Sequence, residues 1–134
     1  MLILAQELQR LVETKNSFVL VTLTGIRGSA PQMEGAKMIV TEAGLFWGTV
    51  GGGKIEARAI QYAQDLLQGS QAAHSVTWNL QKDIGMSCGG EVSLFFDPER
   101  CNSWTVAIFG AGHVAQELCR VLSTWSCRIK IFEI

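Results

Sequence analysis

The stretch VAIFGAGHVAQELCRVLSTWSCRIKIFEI (106–134) decides the fold class. An apolar run, VAIF, leads into Gly110-Ala111-Gly112-His113-Val114-Ala115, a helically spaced segment follows, and a second apolar run ends at Glu133. Strand, glycine turn, helix and strand in that order, with the G-x-G-x-x-A string, make a Rossmann-type β-α-β unit. Val114, Leu118, Val121 and Leu122 are expected to form the inward face of its helix. Glu133 lies 133 − 110 = 23 residues after the first glycine, near the spacing of about 20 at which an acidic residue takes ribose hydroxyls. Gly110, Gly112 and Glu133 are therefore candidates for contact with NAD(P). His113 joins them at the helix start, a position from which its imidazole could touch a ligand. The fold serves other tasks too, so the string speaks more strongly for the unit than for a bound dinucleotide. The final run would leave an apolar sheet edge exposed. The expectation is the front part of a longer protein, a natural short form, or a sheet completed by a second copy in a homo-oligomer.

The 134 residues are 48% apolar and 17% charged, with a formal net charge of −1. That composition is globular and excludes a bulk basic surface for nucleic acid or anionic membrane. No apolar run approaches the length of a membrane span. The opening MLILAQELQRLVE carries Gln and Glu too early for a signal segment, so a cytoplasmic location is expected. Cysteines 88, 101, 119 and 127 match neither a zinc ribbon nor a CxxC pattern.

Upstream of the β-α-β unit, Leu4, Leu8, Leu11 and Val12 predict a helix over about 3–14, and FVLVTLTG (18–25) a buried strand. IRGSAPQMEGA (26–36) reads as a loop, KMIVTEAGLFWGTV (37–50) as a hairpin turning at Ala43-Gly44. A helix is expected from about 54 to 67, strands over 73–80 and 92–98, and a glycine-broken loop over 81–91. Proline is expected to stop the strand at 98. The domains are thus 1–100 and 104–134, an α/β domain with glycine-rich loops followed by a truncated Rossmann-like unit. Trp47, Trp78, Trp104 and Trp125 read mostly as core, Trp47 alone standing beside a glycine loop.

That loop is GTVGGGKIEA (48–57). Three glycines at a helix start leave the backbone open to close approach, with unpaired N–H groups and the positive dipole end facing out. Such a start suits an anion; it equally suits a tight turn that binds nothing. Gly51, Gly52 and Gly53 are the candidates, with Lys54 either a point-charge partner or a solvated first-turn residue. Arg27, Gly28 and Ser29 offer a second turn, with a guanidinium suited to phosphate. Cys88 stands in GMSCGG (85–90), where Gly89 and Gly90 expose N–H groups able to stabilise a thiolate; the alternative is a small residue packed under the turn.

Three loops, RGSAP…GAKMIV (27–40), WGTVGGGKIEARA (47–59) and MSCGGEVSLFFDP (86–98), together with IFGAGHVAQEL (108–118), resemble the xanthine dehydrogenase accessory protein family, XdhC/CoxI, in order and over essentially the whole chain. The resemblance implies a maturation factor rather than a catalyst. It would bind the molybdenum cofactor, molybdopterin, assist its sulfuration with a cysteine desulfurase-type sulfur donor, and hand it to xanthine dehydrogenase or a related molybdenum hydroxylase. On that reading Cys88 is a metal or sulfur ligand, since soft ligands suit this chemistry. Gln32 follows the first turn where the family can carry a basic residue, which lowers the positive charge there. An NAD(P)-dependent oxidoreductase is the alternative, favoured by Gly110–Glu133.

Overall fold

The computed structural model describes residues 1–28, 32–101, 104–125 and 127–134. Ser29, and the Ala30-Pro31 pair after it, lie outside the described residues. The elements are α1 (Leu2–Glu13), β1 (Phe18–Gly28), β2 (Lys37–Thr41), β3 (Gly44–Gly48), α2 (Gly53–Gln68), β4 (His74–Asn79), β5 (Gly90–Glu99), β6 (Thr105–Phe109), α3 (His113–Leu122) and β7 (Arg128–Phe132). This mixed α/β chain divides into two compact units, Ser17–Glu99 and a second formed by Met1–Asn16 with Arg100–Ile134.

The first unit is a five-stranded sheet in the order β3-β2-β1-β5-β4, antiparallel at every pairing. The β-branched and apolar alternation of β1 turns Val19, Val21 and Leu23 to one face, where they meet Met38, Val40, Val92, Leu94, Phe96 and Trp78. Helix α2 covers this face with Ile55, Ala59, Ala63, Leu66 and Leu67, the i, i+4, i+8 stripe of an amphipathic helix. Val19 through Leu23 and Leu94 through Phe96 are essentially inaccessible on this face. At roughly 25 cal/mol per Å² of apolar area, this layer dominates the unit's stability. Tyr62 extends the layer at its β4 edge, with its ring 4.7 Å from Phe96 and 5.8 Å from Trp78. Its hydroxyl donates to His74 Nε2 at 2.8 Å, while His74 Nδ1 donates to Ala72 O at 2.8 Å.

Two sequence expectations are corrected here. β1 does not end at 25: it runs to Gly28, because β5 continues alongside it across an irregularity between Leu23 and Gly25. Arg27 and Gly28 are therefore strand residues. Pro98 does not stop β5, which reaches Glu99 paired with β1 through Val19↔Pro98. β4 leaves β5 at Phe96, so Pro98 has the one-sided setting in which a missing N–H is tolerated.

In the second unit, β6 and β7 pair in parallel, Thr105↔Arg128 to Phe109↔Phe132, with α3 between them in sequence. Ile108, Ala115, Leu122 and Cys127 form its core, with Val106, Cys119 and Ile129 against it. The inward helix face is thus Ala115, Cys119 and Leu122. Leu122 is inward as expected, whereas Val114, Leu118 and Val121, also expected inward, are exposed, Val114 to 83%. Both stripes are apolar at helical spacing, and a two-stranded sheet has area for only one. Trp104 and Trp125, expected in the core, are also largely exposed, 45% and 54%. Helix α1 buries Leu4 and Leu11 and ends with Lys15 at a positive φ of 53°. Asn16 N–H donates to Leu11 O and Lys15 N–H to Val12 O, the paired bonds of a Schellman stop that usually carries glycine.

Candidate functional site

The long β1–β5 pairing closes at Arg27↔Glu91 and Gly28↔Gly90, which joins the first glycine motif to the third. Gly90 is demanded by this junction. Its φ is +136°, and an added Cβ would lie 2.3 Å from Arg27 O, so only glycine lets the strands meet there. Arg27 faces Glu91 across the ladder at 3.6 Å, with both side chains largely in solvent.

The loop from 81 to 89 is folded by its own polar groups. Leu80 N–H donates to Gly90 O and Met86 N–H to Leu80 O, each at 2.9 Å. Asn79 Oδ1 accepts from the N–H groups of Gln81 and Lys82, while Asp83 Oδ2 accepts from Asn79 N–H at 2.7 Å. Ile84, Met86 and Cys88 pack against the core of the unit, and Cys88 is half-buried. The structure therefore places Cys88 partly under its turn, with Gly89 exposed beside it.

The α2 start is tied to the same loop. Lys54 Nζ donates to Gly85 O at 2.8 Å, so the lysine bridges the second motif to the third. Thr49 Oγ1 donates to Glu56 Oε2 and accepts from Gly51 N–H at 3.3 Å, which fixes the entry into the helix. Among the described residues, the N–H groups of Gly52, Gly53 and Lys54 have no hydrogen-bond partner, as expected for a first turn. They lie on exposed residues and make a candidate anion cradle. Glu56 works against its potential, so the cradle rests on the N–H groups and the Lys54 charge.

The glycines separate into two kinds. Gly51 is buried, and a Cβ there would press on Ile55 at 3.3 Å. At Gly53 and Gly89, by contrast, no positive φ and no atom within 4 Å requires glycine. Both are exposed, one at the cradle and one beside Cys88. The fold leaves these two bare for no reason of its own.

Gly110, Gly112, His113 and Glu133 belong to the other unit. Gly110 N–H donates to Phe132 O at 2.7 Å, so the glycine turn and Glu133 emerge at the same end of the parallel pair. Gly112 caps α3, and His113 is exposed at its first position. Ile108, Phe109, Val114 and Leu118 line an apolar hollow of about 430 Å³ beside this turn.

Among the described residues no cluster of three or more His, Cys, Asp or Glu is placed to hold a metal ion, so Cys88 stands as a single thiol. Among the same residues no helix is long and apolar enough to cross a membrane. Sequence reasoning missed Thr49 and Glu91. Only the strand register and the loop closures bring them to the motifs, and no local pattern signals either.

Comparison with known proteins adds the following. The model of the XdhC and CoxI family matches residues 11–78. Uncharacterized protein YqeB of Escherichia coli (strain K12) is 29% identical over 131 residues, 96% of this chain and 24% of that protein. The molybdenum cofactor insertion chaperone PaoD of the same organism is 39% identical over 79 residues, 57% of this chain and 24% of that protein. A crystal structure described as a xanthine dehydrogenase from Bacillus halodurans superimposes with a TM-score of 0.53 at 28% identity, covering 66% of this chain and 29% of that one. The chain spans about a quarter of the length of the curated relatives it matches.

Proposed function

Because this chain belongs to the XdhC and CoxI family, we propose that it acts in molybdenum-cofactor maturation. It holds the pterin-based cofactor, assists its sulfuration and passes it to a molybdenum hydroxylase such as xanthine dehydrogenase. The similarity to PaoD, a molybdenum cofactor insertion chaperone, supports this reading.

The observation that carries it is that two glycines of the Ser17–Glu99 unit are exposed with nothing within 4 Å and no positive φ to require them. Gly53 and Gly89 lie on two loops that Lys54 ties together, and both keep the backbone accessible where a bulky anionic ligand would approach. The residues fit such a group. The N–H groups of Gly52, Gly53 and Lys54 would take its phosphate, and the Lys54 ammonium would add charge. Gly28 and Gly90 hold the adjoining sheet end in shape. Arg27 is a further phosphate candidate, though it already faces Glu91. Cys88 would offer a soft thiolate as metal ligand or sulfur acceptor, taking sulfur from a desulfurase-type persulfide whose own thiol is released. When bound, the cofactor would supply the molybdenum centre used by the recipient enzyme. This chain's residues bind, shield and release it; a catalytic acid–base pair is not part of the proposal.

One observation favours a second reading. The adjacency of Gly110 and Glu133 at one end of a parallel pair is the arrangement a Rossmann site uses for NAD(P).

One experiment decides between them. The purified chain is mixed anaerobically with cofactor released from a molybdenum hydroxylase, desalted, and assayed for molybdenum and pterin fluorescence, with NAD(H) titrated in parallel. Stoichiometric cofactor with no dinucleotide binding is the expected result. Dinucleotide bound and cofactor absent would overturn the maturation role and favour the oxidoreductase. Loss of sulfur loading in Cys88→Ala, with cofactor still retained, would assign the thiol to sulfuration rather than binding.

A further inference from the structure

On the face of the five-stranded sheet opposite α2, strands β1, β5 and β4 present side chains that the foregoing site does not use. The register places Gly25 beside Ser93, Arg27 beside Glu91 and Thr77 beside Ser93. With Glu34 they line a groove of about 290 Å³. Thr77 Oγ1 and Ser93 Oγ share a hydrogen bond at 2.9 Å, and Thr24 Oγ1 donates to Ser93 O at 3.1 Å. Glu34 Oε1 accepts from Ile26 N–H at 3.3 Å and so stands as the wall above β1. Gly25 opens the floor: a Cβ there would sit against Ser93 at 3.5 Å.

The groove has a directional pattern. Glu91 presents two acceptor oxygens, and the Arg27 guanidinium stands 3.6 Å from one of them as a donor. Acceptor, acceptor, donor is the complement of a 2-amino-4-oxopyrimidine edge, which offers an amino N–H, a ring N–H and a carbonyl oxygen in a row. Such a carboxylate pairing is bidentate and charge-assisted. The existing ion pair is exposed and contributes little to the fold, so turning its groups toward a ligand costs the fold little. The Thr77 and Ser93 hydroxyls can donate or accept along the far edge of a bicyclic ring.

We infer that this groove binds the 2-amino-4-oxopyrimidine edge of a pterin or of guanine, read by Glu91 and Arg27. The pterin source rests on the proposed maturation role; the edge recognition does not. The groove begins one residue from the Gly28–Gly90 junction, so a pterin held here lies next to that junction.

The test is a fluorescence titration of the full 134-residue chain with pterin-6-carboxylate, with lumazine, which has an oxo group in place of the 2-amino group, and with GMP by competition. The wild-type chain should bind the pterin at least tenfold more tightly than lumazine, and Glu91→Gln should erase that difference. An unchanged melting temperature of Glu91→Gln shows that the variant is folded, and Gln61→Ala, on exposed α2 and outside the groove, should keep the preference. GMP outcompeting the pterin would confirm the edge and assign guanine as its source. Equal binding of pterin and lumazine, an unaltered preference in Glu91→Gln, or no pterin binding at millimolar concentration would each overturn the inference. Molybdenum retention on the same samples separates the two proposals. Pterin discrimination without cofactor retention sinks the maturation role and leaves the groove standing, whereas retention without discrimination does the reverse.

Discussion

Replacing Gly53 by alanine separates what the fold needs from what a ligand needs. Gly53 is the first residue of α2, directly after the cap Gly52. Its backbone is not in the left-handed region, and an added Cβ meets nothing within 4 Å. Alanine in a helix interior is better than glycine by about 1 kcal/mol, and a Gly→Ala change compatible with the native backbone gains about 0.4–1 kcal/mol through the unfolded chain. A first-turn position has fewer intrahelical bonds, so a gain of about 0.5 kcal/mol is expected, or a rise of about 2 °C in melting temperature for a domain of this size. The same methyl group projects beside the N–H groups of the candidate anion cradle, so under the proposed role cofactor retention should fall at least tenfold. Thermal unfolding followed by circular dichroism, with molybdenum retention on the same sample, reads both quantities. Gly51→Ala is the control: its Cβ would press on Ile55 at 3.3 Å and should cost about 1 kcal/mol, the scale of modest overpacking. A stable Gly53→Ala chain that retains cofactor like the wild type would refute the argument that the bare backbone serves a ligand. A loss of stability above about 1 kcal/mol would show that the fold itself requires the glycine.

Three further outcomes follow from the geometry. Gly90→Ala should destabilise the Ser17–Glu99 unit by about 3 kcal/mol, combining the strain of a glycine-only conformation with the clash on Arg27 O, as read from the urea midpoint. Tyr62→Phe should cost about 1 kcal/mol by the same measurement, because it removes the donor to His74 Nε2 while keeping the ring contacts. Lys15→Gly should raise stability by about 1 kcal/mol, since it relieves a non-glycine residue at a positive φ of 53°, less whatever the Lys15 Nζ bond to Cys127 O contributes; a drop in melting temperature would show that the side-chain bond outweighs the strain.

The elements were largely legible in the sequence because each has a local cause. The stripe Ile55, Ala59, Ala63 and Leu66/Leu67 announces α2, and it is the stripe that is buried. The β-branched run of β1 is equally plain, but its end was not. Arg27 and Gly28 look like loop, and only pairing with β5 keeps them extended. On α3 two apolar stripes compete at the same spacing, and the sheet decides which is buried, so periodicity alone places only Leu122 correctly. The site shows the same division. Glycine loops and Cys88 stand out by composition, while Lys54 reaching Gly85 and Glu91 facing Arg27 depend on strand order, which no local pattern encodes. The same limit hid the different demands on Gly53 and Gly90, identical letters that the fold treats in opposite ways.

The junction of Gly28 with Gly90 also sets an order of events during synthesis. Thr24 and Ser93, which flank that junction, are 69 residues apart in sequence, and pairing at such separation is slow because a long loop must close first. On the ribosome the first glycine motif emerges early and waits, unpaired, until most of the chain has followed it. Helix α2 and the β2–β3 hairpin can form from neighbours in sequence during that interval, but the floor of the groove and the Gly28–Gly90 junction cannot. Closure of β1 onto β5 is therefore a late step, and under the proposed role a nascent chain that has not made it lacks the groove floor and the Gly28–Gly90 junction.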